Sequence, residues 1–214
     1  MRAFIRDQLA RLGLGRLAKH PPPNQVSSDA DPGERPWSLG VEQSLQRREV
    51  SVTGMITDRS ATTIIAQMLY LDAEDPAAPM TLRIDSPGGV ATSTLAIYDA
   101  IQHVKAPVCT AVAGVAGGTA ILIAVAGASG HRTATARSLY RFVRFRFRYR
   151  SEAAGRECDR LVDAFAAAIG RHTQLDRRAV ARAMDREERM HALVALRRGF
   201  VDHVGGGDLL DGGR

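Results

Sequence analysis

The chain has 214 residues, of which 45% are apolar and 24% charged, a composition typical of a globular protein with one sizeable core. The net charge of +6 is local, because residues 132–160 carry nine arginines against three acids and leave 20 basic and 20 acidic residues elsewhere. This distribution speaks against a nucleic-acid-binding protein that is basic throughout, and no apolar run approaches the roughly 20 residues that span a bilayer.

Residues 1–45 differ in character from the rest. Apolar residues near helical spacing predict a short, arginine-rich amphipathic helix over 1–20, which three prolines end before a polar linker. Such a segment is compatible with an organelle presequence, a membrane-surface segment or a processed propeptide, and we favour a solvated tail. Two distant cysteines and the lack of a signal peptide predict reduced thiols in a cytoplasmic protein, or an organelle protein if residues 1–20 are a presequence.

From about Val50 onward the pattern alternates between strand and helix. Strands are predicted at Val50–Thr53, Met80–Asp85, Pro107–Ala113, Arg132–Thr135 and Ser138–Tyr149. Helices are predicted at Arg59–Leu71 (with Asp58 as its cap), Leu95–Val104, Ala120–Ala128, Glu152–Arg171, Arg177–Met184 and His191–Arg198. This repeated βαβ order predicts an α/β fold with a largely parallel sheet.

Two glycine-containing segments each connect a predicted strand to a predicted helix. Residues 86–89 (Ser-Pro-Gly-Gly) are expected to form a turn, in which Gly88 and Gly89 let backbone N–H groups face a concave site, as in an oxyanion hole. Residues 114–119 stand where a hydrolase of this plan holds its nucleophile, yet the segment has no Gly-x-Ser-x-Gly motif and only Thr119 carries a hydroxyl near the apex. An ordinary turn and a tightly packed helix start are the alternative interpretations.

Four segments carry a family resemblance in combination: IIAQMLYLDAEDP, LRIDSPGGVATSTLAIYDAIQHVKAPV, TAVAGVAGGTAILIAVAGASGHR and RRGFVD. Together they resemble the Clp protease proteolytic subunit over about residues 46–204. The resemblance implies a crotonase-like α/β spiral with a protruding handle helix, assembled in paired seven-membered rings around a proteolytic chamber that an ATP-driven unfoldase feeds. Residues 1–45 are then a flexible basic N-terminal segment, and 205–214 a flexible tail.

The same resemblance locates the positions of the catalytic triad. The nucleophilic serine of the family aligns with Gly118, the general-base histidine with Val143, and the acid that orients the histidine with Glu187. A triad needs all three groups within hydrogen-bond reach of one another. Gly118 has no side chain with which to attack and Val143 accepts no proton, so we expect no catalytic residues, and also no metal and no cofactor.

The surface that binds the unfoldase is also altered. In the family, an apolar loop of the unfoldase enters a pocket walled by aromatic residues, and the matching positions here are Thr81, Arg83 and His103. Their replacement removes apolar burial worth a few kcal/mol, on the order of one or two buried side chains, unless another position or a neighbouring subunit completes the pocket.

The basic stretch shows strand periodicity, which places Arg144, Arg146, Arg148 and Arg150 on one face. In the family this region borders the substrate groove and the contact between rings, where an Asp-Arg pair is replaced here by Glu187-Glu188. We favour a subunit interface with complementary charges. An acidic ligand and RNA remain alternatives, although one strand is a small footprint for a nucleic acid.

The predicted function is therefore that of a non-catalytic homologue that joins or regulates ATP-dependent Clp protease complexes. Its expected partners are a catalytically active Clp proteolytic-subunit paralogue in a mixed ring and, as a second candidate, a Clp unfoldase ATPase. One alternative is an active hydrolase that uses displaced groups, such as Thr119, Ser86 or Ser93 with His103 or His131. The other is a stand-alone binding module that works through the arginine strand.

Overall fold

The computed structural model describes residues 37–144 and 152–205. The predicted N-terminal helix, the C-terminal tail and Arg146, Arg148 and Arg150 lie outside these residues. The chain divides into two units between Gln43 and Ser44, and the seven strands of the described residues belong to the second unit.

Helices and strands alternate along the described part of the chain. The helices are α1 (Trp37–Gln46), α2 (Asp58–Glu74), α3 (Ala91–His103), α4 (Ala120–Val125), α5 (Glu152–His172), α6 (Arg177–Asp185) and α7 (Ala192–Arg197). The strands are β1 (Glu49–Ile56), β2 (Met80–Gly89), β3 (Val108–Gly117), β4 (Arg132–Thr135), β5 (Leu139–Arg141), β6 (Arg189–His191) and β7 (His203–Gly205).

The strands form one sheet in the order β1-β2-β3-β4-β7, in which all neighbouring pairs are parallel. Besides its pairing with β2, strand β3 pairs with two strands on its other edge, with β4 through residues 110–112 and with β5 through residues 115–117. Strand β6 is antiparallel to β5. Parallel neighbours need crossover connections, which α2, α3 and α4 supply here. The expected α/β class with a largely parallel sheet is confirmed.

The core is built from the alternation of side chains along the strands. Leu82 and Ile84 of β2 are fully buried, whereas Thr81 and Arg83, which alternate with them, are partly exposed on the opposite face. Helix α4 is buried along its whole length, which matches its uniformly apolar sequence. Residues 114–117, predicted to lie in the connection, belong to β3, so only Gly118 and Thr119 separate β3 from α4 and the burial of α4 holds them in place.

The start of α2 differs from the prediction by one residue. Its N-cap is Thr57, whose side chain accepts the Ser60 N–H at 3.2 Å while the Ser60 hydroxyl accepts the Thr57 N–H at 2.9 Å. This reciprocal arrangement is a capping box, and it satisfies backbone donors that the helix leaves unpaired. Asp58, predicted as the cap, instead accepts a hydrogen bond from the Ser93 hydroxyl.

Strand pairing overrides several other predicted boundaries. The predicted turn at 86–89 is wrong, because after a register shift Gly88 and Gly89 pair with Met55 and Ile56 of β1 and so extend β2. Of the strand predicted over 138–149, residues 138–144 are described, and among these only Leu139–Arg141 form a strand, β5; residues 145–149 lie outside the described part of the chain. Helix α4 stops at Val125 rather than at residue 128. The short strands β6 and β7 were not predicted.

Candidate functional site

The two glycine-containing segments lie against each other at the ends of β2 and β3. A Cβ atom placed on Gly117 would lie 2.9 Å from the Pro87 carbonyl oxygen, and one on Gly88 would lie 2.8 Å from the Thr119 amide nitrogen. Gly88 also adopts a φ of +95°, which residues with a side chain rarely adopt. Glycine is therefore required by close backbone approach at both positions.

The structure brings together the positions of the predicted nucleophile and general base. A Cβ atom on Gly118 would lie 3.7 Å from both Cβ and Cγ2 of Val143. The Gly118 N–H donates to the Arg141 carbonyl at 2.8 Å, which ties the start of α4 to β5. Side chains at positions 118 and 143 would thus point toward each other. In this chain, however, Gly118 provides no nucleophile and Val143 provides only hydrocarbon.

The predicted acid position lies beside the same segment. The Phe142 N–H donates to the Glu188 carbonyl at 2.9 Å, so the Glu187-Glu188 segment runs next to the residue that precedes Val143. Glu187 is exposed and has a φ of +49°. A carboxylate alone performs no acyl transfer, because it needs a histidine to orient and a nucleophile to activate.

Thr119, the hydroxyl nearest to the nucleophile position, is held in a buried network. Its Oγ1 accepts the Gly89 N–H at 2.9 Å and lies 2.9 Å from the Thr94 hydroxyl, which donates to it. The same Thr94 hydroxyl lies 2.9 Å from the Val90 carbonyl, so its single proton is shared between these two acceptors. The Gly89 N–H is therefore occupied by a side chain of the same protein, although an oxyanion hole needs such a donor to be directed at the substrate.

The other serines considered as replacement nucleophiles are bonded to structural partners. The Ser86 hydroxyl donates to the Gly54 carbonyl at 2.6 Å and accepts the Gly88 N–H at 3.1 Å. The Ser93 hydroxyl donates to the Asp58 carboxylate at the start of α2. Neither hydroxyl is bonded to a histidine within the described residues, so neither has a base to activate it.

The remaining candidate groups offer little activation. Burial raises the pKa of the Cys109 thiol, which disfavours the reactive thiolate. His103 lies at the end of α3 and His131 just before β4, and both are exposed. These placements bring no nucleophile and histidine together in the part of the chain that the structure describes.

The predicted unfoldase-docking positions do not form an apolar pocket in this chain alone. Thr81 and Arg83 line a small cavity of about 30 Å³ together with Glu49. Arg83 and Glu49 form an ion pair at 3.5 Å across β1 and β2. A cavity of this size holds about one water molecule rather than an apolar side chain.

The basic stretch contains one arginine that is structural. Arg132 is 8% exposed and forms a bidentate pair with Asp202, with Nη2–Oδ1 at 2.6 Å and Nε–Oδ2 at 2.9 Å. Its Nη1 also donates to the carbonyls of His172 and Gly199. Hydrogen bonds from Arg132 hold the pKa of Asp202 below its usual value, against the opposing effect of burial. The excess charge is thus partly internal and is no single surface patch.

The predicted interface residues that the structure describes already have partners in the same chain. Arg144 pairs with Asp185 at 3.5 Å, with both side chains more than 60% exposed, and Glu188 pairs with Arg198 at 2.6 Å. Exposed pairs contribute only about 0–1 kcal/mol and exchange partners easily. Residues 37–144 and 152–205 contain no cluster of potential metal ligands and no helix long and apolar enough to cross a membrane.

Sequence reasoning missed two features of the site: the bond between Thr119 and Gly89, and the support that Thr94 gives to Thr119. Both depend on distances of about 3 Å between segments some 25–30 residues apart, for which the sequence carries no pattern.

A comparison with protein-family models finds a match to the model described as Clp protease over residues 33–208, which is most of the chain.

Proposed function

The chain belongs to the Clp protease family, and we propose that it is a non-catalytic member, which joins a Clp protease complex by assembling with a catalytically active paralogue. One observation carries the proposal: the nucleophile and base positions meet in space, as a working site requires, yet they hold Gly118 and Val143. A scaffold that retains the geometry of the site without its chemistry is suited to a structural or regulatory place in the ring.

The bond between Gly89 and Thr119 supports the same conclusion. In a working acyl-transfer site a preorganised N–H donor stabilises the oxyanion, and loss of one donor costs about 100- to 1,000-fold in rate. Here the Thr119 hydroxyl accepts that N–H. The same bond weakens the alternative of a displaced nucleophile, because the Thr119 oxygen already accepts the Gly89 N–H and has no histidine bonded to it among the described residues.

The positions of Thr81, Arg83 and His103 support different roles for the two kinds of subunit in binding the unfoldase. The polar Thr81, the ion-paired Arg83 and the exposed His103 give little apolar surface for an unfoldase loop. We propose that the active paralogue supplies most of the unfoldase contact in a mixed ring, and that this chain changes the number of docking sites.

The contact with the paralogue is proposed to use the arginines after β5 and the Glu187-Glu188 segment. Arg144 and Glu188 carry exposed or half-exposed ion pairs that can exchange for partners on another subunit. A surface with both signs of charge side by side favours a partner with complementary charges over a uniformly acidic nucleic acid.

Co-expression with an active Clp proteolytic subunit, followed by native mass spectrometry of the purified complex, tests the proposal. Rings that contain both subunits in a defined ratio are expected. Exclusive homo-oligomers of each chain at the same concentrations would contradict the proposal, and a charge-reversed Glu188→Arg variant should shift the ratio if the proposed contact is correct.

A further inference from the structure

Strands β5 and β6 place two arginines directly opposite each other. Their antiparallel register pairs Arg141 with Arg189 and Tyr140 with Met190. Tyr140 and Met190 are buried, so the alternation of side chains directs Arg141 and Arg189 to the other, more accessible face. Residues opposed in this way have Cβ atoms about 4.5–5.5 Å apart, so the two arginine side chains leave the sheet from neighbouring points on the same face.

Neither arginine has an acidic partner within residues 37–144 and 152–205. Of the acids on neighbouring elements, Glu188 pairs with Arg198 and Asp185 pairs with Arg144. Like charges directly opposite each other on a sheet are destabilising. The opposition of the two arginines therefore carries an electrostatic cost, and neither of them forms an ion pair with a described acid.

Arg141 carries a second unfavourable feature at the same place. Its Nε atom is buried and has no hydrogen-bond acceptor among the described residues. Buried donors are almost always paired, because leaving one unpaired loses the hydration it had in the unfolded chain. A like-charge pair and an unpaired donor thus coincide at Arg141, and a negatively charged acceptor bound between the two arginines would offset the like-charge repulsion.

The arginine pair lies next to the former catalytic positions. Arg141 pairs in register with Gly117, and its carbonyl accepts the Gly118 N–H at 2.8 Å. Burial alternates along residues 139–143, which places the half-buried Val143 on the same face as Arg141. A group held by both arginines therefore lies beside the hydrocarbon of Val143 and the half-buried backbone of Gly118.

We propose that Arg141 and Arg189 together bind the carboxylate of a peptide segment that lies along the former catalytic positions. Guanidinium groups bind planar carboxylates through two parallel hydrogen bonds, and a carboxylate between two of them neutralises their repulsion. The hydrocarbon of Val143 and the bare backbone at Gly118 suit a peptide chain better than a small inorganic anion. This inference goes beyond the proposed function, since it assigns a ligand to the site that lost its chemistry.

Calorimetric titration of the full chain with three short peptides of otherwise neutral sequence tests the inference. One has a free C-terminal carboxylate, one is its C-terminal amide, and one is an amidated peptide with a single aspartate. Binding of either carboxylate-bearing peptide, with no binding of the neutral amide, is expected, and the two positive arms distinguish a terminal from a side-chain carboxylate. Equal affinity for the acid and the neutral amide would overturn the inference, as would equally tight binding of inorganic phosphate.

The variant Arg189→Gln should weaken carboxylate binding by about 10- to 100-fold, as expected for the loss of a charge-assisted hydrogen bond. Arg197→Gln is the matched control, because it removes the same charge from the exposed side of α7 and should leave the affinity unchanged. Arg189 is exposed, so its substitution leaves the core intact.

The stability of the variant without peptide distinguishes a binding role from a structural one. If the arginine pair is held for a ligand, Arg189→Gln should raise the unfolding temperature of the free chain while it removes the stabilisation that the peptide provides. A lowered unfolding temperature of the free variant, with peptide affinity unchanged, would assign the pair a structural role and overturn the inference. The measurement uses the chain alone, so failure of mixed-ring assembly leaves its outcome unaffected.

Discussion

Restoring the two missing catalytic side chains should not by itself restore peptidase activity. In the double variant Gly118→Ser, Val143→His, the new serine Cβ would lie 3.2 Å from the Pro87 carbonyl oxygen and 3.7 Å from the Cβ of residue 143. Only a few tenths of an ångström of adjustment are needed, so serine and histidine fit side by side. The φ of +49° at position 118 adds about 1–2 kcal/mol of strain for a residue with a side chain.

The obstacle is expected at Gly89, the predicted oxyanion donor. The Gly89 N–H donates to Thr119 Oγ1 at 2.9 Å, and it must leave that oxygen before it can bind a developing oxyanion. Loss of one such donor costs about 100- to 1,000-fold in kcat. The double variant should therefore remain at least about 100-fold below an active subunit, and addition of Thr119→Ala should recover a large part of that factor.

Hydrolysis of a fluorogenic peptide by the double and triple variants measures this difference. The matched control is Thr94→Val in the double variant, because it removes the other hydroxyl of the same network but leaves the Gly89–Thr119 bond in place. No gain is expected from it. Equal activity of the double and triple variants would refute the reasoning that Thr119 blocks the donor.

Three further predictions concern stability and docking. Asp202→Asn should lower the free energy of unfolding by about 3–5 kcal/mol in urea titrations, because it leaves the buried Arg132 without its carboxylate; Arg132→Leu should lower it by less, because the Asp202 side chain that it leaves unpaired is 18% exposed. Since the folded-state pKa of Asp202 lies below the unfolded value of 3.8, the contribution of the pair is complete above that value and is lost as pH falls through the folded-state pKa; acid denaturation of the Asp202→Asn variant should lack this component. Tyr140→Phe should raise stability by about 1 kcal/mol in a thermal melt, because the Tyr140 hydroxyl is buried without a hydrogen-bond partner among the described residues; a loss of stability would contradict this. Combining Thr81→Tyr with Arg83→Leu should increase binding of an unfoldase-loop peptide about tenfold or more by fluorescence anisotropy if these positions form the docking wall, and no change would place docking elsewhere.

Periodicity predicted the alternating part of the fold well. Val50–Thr53 lies within β1, and Arg132–Thr135 coincides with β4, because both are short runs rich in β-branched residues, which favour strands. Strands β6 and β7 have three residues each, too few for any periodic signal. Residues 86–89 carry the composition of a turn, but Gly88 and Gly89 pair with β1 and so belong to β2.

The candidate site was predictable in position but not in its contacts. The approach of Gly118 and Val143 follows from the family resemblance, since no spacing rule connects residues 25 positions apart. The sequence placed Arg132 in a basic surface patch. Its partner Asp202 lies 70 residues further along the chain, and no sequence pattern connects the two residues. The opposition of Arg141 and Arg189 depends on the register of β6, a strand that the sequence did not predict.

The most direct test of the central claim is a turnover measurement on the purified wild-type chain. Fluorogenic peptide should be hydrolysed no faster than in buffer alone, and a fluorophosphonate probe should leave the chain unlabelled, while an active Clp proteolytic subunit treated in parallel gives both signals. Turnover or labelling that disappears in the Thr119→Ala variant would contradict the claim, because it would show that a displaced hydroxyl has taken over the chemistry.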